Sequence, residues 1–178
     1  MNVSFDYIRK GDDIINNDII IGLFGTCDKS HWRDKFISIY QNRNIPYYNP
    51  QIKDWKPEYA QIEAEHLAND KIILFPITYE SYGLGSLSEI GFSVLNAIKL
   101  NDRRHFVILI DNYLDDNLQD ENLRKESLKN RSLVKNHLLK LDMSNIYLVN
   151  NLENMLQVSL ILYQSENIKN KISKYLTR

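Results

Sequence analysis

Five short apolar runs punctuate the chain, each bounded by polar or turn residues. They are IIIGLF at 19–24, IPYY at 45–48, KIILFPIT at 71–78, HFVILID at 105–111 and NIYLV at 145–149. All have strand length and are mostly continuous rather than alternating, the pattern of strands buried on both faces of a parallel sheet. Helical periodicity fills the intervals. SHWRDKFISIYQNR places Trp32, Phe36, Ile39 and Tyr40 on one face, and PEYAQIEAEHLAND places Tyr59, Ile62 and Leu67 on one side with Pro57 in the first turn. SLSEIGFSVLNAIKL and NLENMLQVSLILYQ read as two further helices. Strand alternating with helix predicts an α/β fold: one doubly wound domain over 1–178 with a five-stranded, mainly parallel sheet. Residues 1–18 read as an extra edge strand or a partner-contacting arm. Residues 112–140 read as a charged, exposed loop leading into an amphipathic helix that carries Leu123, Leu128, Val134 and Leu138.

Composition narrows the partners. With 22 basic and 23 acidic residues the formal net charge is -1, which gives no electrostatic footprint for a nucleic-acid polymer. No apolar run approaches the roughly 20 residues that span a bilayer, so no membrane partner is expected. The opening MNVSFDYIRKGDD lacks the apolar core and cleavage site of a signal peptide, and a cytoplasmic address is the expectation. A single cysteine, Cys27, leaves no internal disulfide and no CxxC site, and no metal-ligand spacing stands out.

In a sheet of this flavodoxin- or Rossmann-like kind, the default strand order is 2-1-3-4-5. Ligands then bind beyond the carboxyl ends of the strands, in the crevice between the first and third. The segments that follow the first three strands are GTCDKSHW at 25–32, NPQIKDW at 49–55 and YESYGLGSLSE at 79–89. Polar and Gly-rich residues therefore converge on one edge. Glu89 belongs to that edge and admits two compatible readings. Ser86 as N-cap with Glu89 three residues later forms an S-x-x-E capping box, which needs no chemistry. The other reading makes Glu89 a carboxylate facing the crevice, with Gly83 and Gly85 letting backbone N–H groups approach a sugar or phosphate.

The pieces FGTCDKSHWRDKFI, IPYYNPQIKDWKPEYAQIE, ANDKIILFPIT and GLGSLSEIGFSV together resemble the nucleoside 2-deoxyribosyltransferase-like family in order and spacing, over roughly residues 19–100. The resemblance implies N-glycosidic bond chemistry on a nucleoside or nucleotide, with no metal or organic cofactor. It further implies a homo-oligomer, for which the 1–18 arm and the 112–140 segment are candidate contacts. The family's nucleophile, the Glu before Ile/Leu-Gly-Phe/Tyr, falls on Glu89 within SEIGF. The chain departs from the family at the acid. The aspartate before the GLG loop is replaced by Tyr82 and Gly83, and the family's helical Asp falls near Ile62, Glu63 and His66.

Cleavage at a sugar C1 passes through an oxocarbenium-like state that a carboxylate can stabilise and trap as a covalent glycosyl-enzyme. A nucleobase is a poor leaving group and needs a proton. Glu63, His66, Asp54 and Glu80 are the possible donors, or the acid is absent; Glu63 and His66 share one helical face at i, i+3. Gly83, Gly85, Ser86 and Ser88 are expected to bind the sugar or its phosphate, and Gly25 and Thr26 to line the opposite wall. Asn49 and Asp54 are expected at the end of the second strand, where Asn49 either contacts ligand or caps a turn. Asp28 reads as a helix N-cap. Cys27 has no neighbouring His in sequence, and thiol chemistry is not expected of it. Two other functions fit the same residues. One is a NAD-cleaving enzyme resembling TIR-type NADases, since nicotinamide leaves as a neutral molecule and needs no acid. The other is a non-catalytic nucleotide sensor.

Overall fold

The computed structural model describes residues 19–27, 30–52, 56–99 and 104–176. The 1–18 arm, the expected N-cap Asp28 and Asp54 lie outside them. Five strands, β1 (Ile21–Leu23), β2 (Tyr47–Tyr48), β3 (Ile72–Ile77), β4 (His105–Ile110) and β5 (Ile146–Val149), alternate with five helices. The helices are α1 (Trp32–Asn42), α2 (Pro57–Asn69), α3 (Leu84–Lys99), α4 (Glu121–Leu141) and α5 (Leu152–Ser173). All strand pairs are parallel and the order is β2-β1-β3-β4-β5. The fold class and the strand order are those the apolar runs predict.

Continuous apolar runs are needed here because each strand feeds two cores. Ile72 and Leu74 of β3, with Val107 and Leu109 of β4, pack with Trp32, Phe36 and Tyr40 of α1 and Met155, Leu156 and Leu160 of α5. Their neighbours Ile73, Phe75, Ile77, Phe106, Ile108 and Ile110 pack on the other side with Leu87 and Ile90 of α3 and Leu138 of α4. Every residue of β3 and β4 is buried, while β5, at the sheet edge, is only half-buried. At ~25 cal/mol per Å² of apolar area, this two-sided burial is the main favourable term in folding.

Two helices differ from their apolar patterns in an informative way. In α1, Arg33 joins Trp32, Phe36 and Tyr40 on the buried face. In α4 the buried positions are Ser127, Arg131 and Leu138, whereas the expected Leu123 is exposed. Both arginines face the carboxyl-edge loops. A hydrophobic pattern cannot place them, because their burial depends on carbonyls supplied by distant segments.

Candidate active site

The crevice between β1 and β3 is built by pressing two loops together. At Gly25 the backbone is left-handed (φ 92°), and a Cβ there would stand 2.5 Å from the Pro76 carbonyl oxygen. Only glycine tolerates both conditions. Thr26 N–H donates to that same oxygen at 2.8 Å, and Thr26 Oγ1 accepts from Thr78 N–H at 2.9 Å. The hydroxyls of Ser30 and Thr78 both donate to the Glu80 carboxylate, bracing the loop after β1 against the loop after β3.

On the far side, α3 begins earlier than the sequence indicates. Its first residue is Leu84, and Leu87 N–H donates to the Gly83 carbonyl at 3.0 Å. Gly83, not Ser86, thus takes the capping position, with φ 66°. A Cβ at Gly83 would lie 2.6 Å from Ile77 Cγ2 and 3.3 Å from Arg131 Nη2. Ser86 and Glu89 fall inside the helix, so the capping box does not form. Arg131 is the clamp beneath this turn. Its guanidinium donates to the carbonyls of Ile77 (2.9 Å), Thr78 (3.0 Å), Ser81 (2.6 Å) and Asp111 (3.1 Å).

The loops enclose a cleft of about 280 Å³, lined by Gly25, Thr26, Cys27, Glu63, Gly83, Gly85, Ser86 and Glu89, together with Phe24, Pro50, Ser81 and Leu84. That volume lies near the lower end of the range for small-molecule sites, about 300 Å³ upward. Of the residues expected at the site, the cleft brings together Glu89, Glu63, Gly25, Thr26, Gly83, Gly85 and Ser86. Three others lie off its lining. The His66 ring stacks on Tyr48 with centroids 3.7 Å apart, and its Nδ1 is 2.9 Å from Asp70 Oδ1. Asn49 Oδ1 accepts from Gln51 N–H at 3.1 Å, the turn-capping alternative. Ser88 is exposed and donates to the Leu84 carbonyl at 3.1 Å.

Two carboxylates in one cleft constrain each other. Burial pushes the Glu89 carboxyl above its ordinary range, against the opposing influence of the Arg33 guanidinium. Glu63 is pushed up by burial first and by the charge of Glu89 second, with Arg33 again opposing. Glu89's negative charge thus favours the protonated form of Glu63 beyond what burial alone does. Pairs of carboxyls whose environments separate them in this way can divide the roles of nucleophile and acid. Arg33 is the residue the sequence reading missed. It sits within the fragment S-x-W-R, but charged helix residues are usually solvated, and nothing local marks this one as buried.

The fold and cleft define a doubly wound α/β protein with a paired-carboxylate site at its topological switch point. No protein-family model matches the chain, and no curated protein matches it significantly. Among the described residues, no helix is long and apolar enough to cross a membrane.

Proposed function

We propose that this protein is an N-glycosyl enzyme acting on a nucleoside or nucleotide, with Glu89 as nucleophile and Glu63 as general acid. The observation that carries this reading is the pairing of Glu89 and Glu63, from different helices, in one cleft where the charge of the first favours protonation of the second. A carboxylate oxygen of Glu89 attacks C1 of the sugar as the C1–N bond breaks. The bonding electrons pass to the base, whose nitrogen takes the proton from Glu63. Water or a second base then attacks C1 and gives its proton to Glu63, now a base, while Glu89 departs as carboxylate. Neither half of this sequence calls on a metal or organic cofactor. Gly83, Gly85 and Ser86 border the sugar or its phosphate at the start of α3, and Gly25 and Thr26 form the facing wall.

A homo-oligomer belongs to the same proposal. Leu84 and Phe92, two turns apart on α3, are exposed hydrophobic residues, and Phe92 is 70% exposed. Phe92 is the side chain on this helix that coverage by another chain would shield most from water.

Chromatography after incubation with nucleosides, nucleoside monophosphates and NAD tests the activity. Free base from a nucleoside or monophosphate, abolished in Glu89→Gln, is the expected result. Release from NAD alone would make the protein a NAD glycohydrolase, and binding without release would make it a sensor.

A further inference from the structure

The reaction as proposed leaves the guanidinium of Arg33 without a part. It lies behind the cleft wall, 1% exposed. Nε donates to the Leu23 carbonyl at 2.9 Å and Nη1 to the Thr26 carbonyl at 2.6 Å. Nη2 donates to the Gly25 carbonyl at 3.4 Å and to Cys27 Sγ at 3.5 Å. The guanidinium carbon of Arg33 also lies 4.5 Å from the ring centre of its neighbour Trp32. Among the described residues these hydrogen bonds end on neutral carbonyls and a thiol. They orient the head group without cancelling its charge, and a buried cation is costly unless something does. The ionisable groups acting on it are Cys27 on the loop after β1, Glu63 on α2 and Glu89 on α3. Tyr48 at the end of β2 faces Glu63 in turn. Burial disfavours the charged form of Arg33 on balance, and Cys27, Glu63 and Glu89 oppose that only in part.

The same residues therefore appear twice. Gly25, Thr26 and Cys27 accept the hydrogen bonds of Arg33 and line the cleft, and the two carboxylates whose charges act on it, Glu63 and Glu89, line the cleft as well. We infer that Arg33 is the positioning residue of this site, fixing the Gly25–Cys27 wall and placing a positive charge behind it, at the back of the cleft that Glu89 and Glu63 line. The inference rests on the glycosyl-enzyme reading for its catalytic meaning, but the charge coupling stands apart from turnover and is measured separately.

The coupling is reciprocal, so the unaltered protein can report it. The ¹⁵Nε–H resonance of Arg33 is expected to shift with pH as Glu89 titrates, and this step should vanish in Glu89→Gln. A resonance that stays flat through the carboxylate titration would overturn the inference. Kinetics give the second arm. In Arg33→Met the acid limb of kcat/KM for base release should move to higher pH by about one unit, a tenfold loss on that limb. Arg33→Lys should restore the limb while raising KM, because lysine keeps the charge and loses the planar fork. An Arg33→Met protein with an unmoved acid limb would reduce Arg33 to a structural brace. If Arg33→Met does not fold, the Nε titration and the lysine variant decide. If no substrate releases base, the glycosyl-enzyme reading fails, and the resonance alone settles the coupling.

Discussion

Glu89 and Glu63 each sit where burial favours the neutral carboxyl, and each is opposed by the same buried arginine. That arrangement costs stability and is useful only if one of them must be charged. Glu89→Gln is nearly isosteric, and because α3 starts at Leu84 the substitution removes no cap. Base release should fall by orders of magnitude with the fold intact; a rate within about tenfold of the parent, only ~1.4 kcal/mol of barrier, would exclude the nucleophile. Glu63→Gln makes a separate thermodynamic prediction. A carboxyl whose folded-state pKa is raised contributes stability below its unfolded value, roughly pH 4.3, and loses it as pH rises through the folded value. Glutamine cannot ionise, so Glu63→Gln should melt higher than the parent at neutral pH, and the gain should disappear below about pH 4. Calorimetry at the two pH values checks it. Glu89, at position 89, was legible because glycines and the switch-point rule single out its loop. Arg33 was not, because its partners are carbonyls that only the folded chain brings to it.

At the scale of elements, the turn into α3 concentrates the demands on the backbone. Gly83 is left-handed and closely faced by Ile77 and Arg131, whereas Gly85, inside α3, has nothing within 4 Å of where a Cβ would stand. The two glycines of the GLG motif should therefore respond oppositely. Gly83→Ala should destabilise by about 1–3 kcal/mol, the usual cost of a side chain in such a conformation. Gly85→Ala should stabilise the helix by ~0.5–1 kcal/mol, while weakening activity if ligand backbone contact occurs there. Denaturant midpoints read the first effect and base release the second. Arg131→Met should cost ~3 kcal/mol or more, since each buried carbonyl left unpaired costs about 1–3 kcal/mol, and it should loosen both β3 and α3 at the cleft. The α4 pattern shows why sequence reading stopped short here. Leu123 and Leu128 imply a different buried stripe from the one Ser127, Arg131 and Leu138 form, because α4 is fixed by hydrogen bonds to the β3 and β4 loops as well as by apolar packing.

At the scale of the molecule, α5 is latched to the amino-terminal side of the sheet, opposite the cleft. Glu166 meets His105 Nε2 at 2.9 Å, Lys169 Nζ at 2.6 Å and Lys71 Nζ at 3.3 Å. Burial alone would push its carboxyl up, but the hydrogen bonds from Lys169 and His105 and the charge of Lys71 hold it at about 2. A depressed pKa contributes stability above the unfolded value and loses it as pH falls through the folded one. Acid unfolding should therefore draw on Glu166 between about pH 4 and pH 2. Glu166→Gln should lower the denaturation midpoint at neutral pH and match the parent near the acid end. If the proposed oligomer covers Phe92, sedimentation should show an assembly that Phe92→Glu dissociates, since a charge at a covered apolar position is costly to bury.

The sequence alone determined the fold class, the strand order and which loops meet. Burial on both faces writes itself as five continuous apolar runs, and parallel connectivity leaves few ways to order them. It also located Glu89, through the switch-point rule, and Gly25 and Gly83, where a crowded, left-handed backbone requires glycine whatever surrounds it. Tertiary structure decided what depends on segments far apart in the chain. It turned His66 toward Tyr48 and Asp70 and left Glu63 in the cleft, although both share one helical face. It moved the start of α3 to Leu84 and buried Arg33 and Arg131. A side chain's partners, and with them its charge state, are set by backbone atoms and carboxylates from other elements, and no local pattern encodes where those arrive.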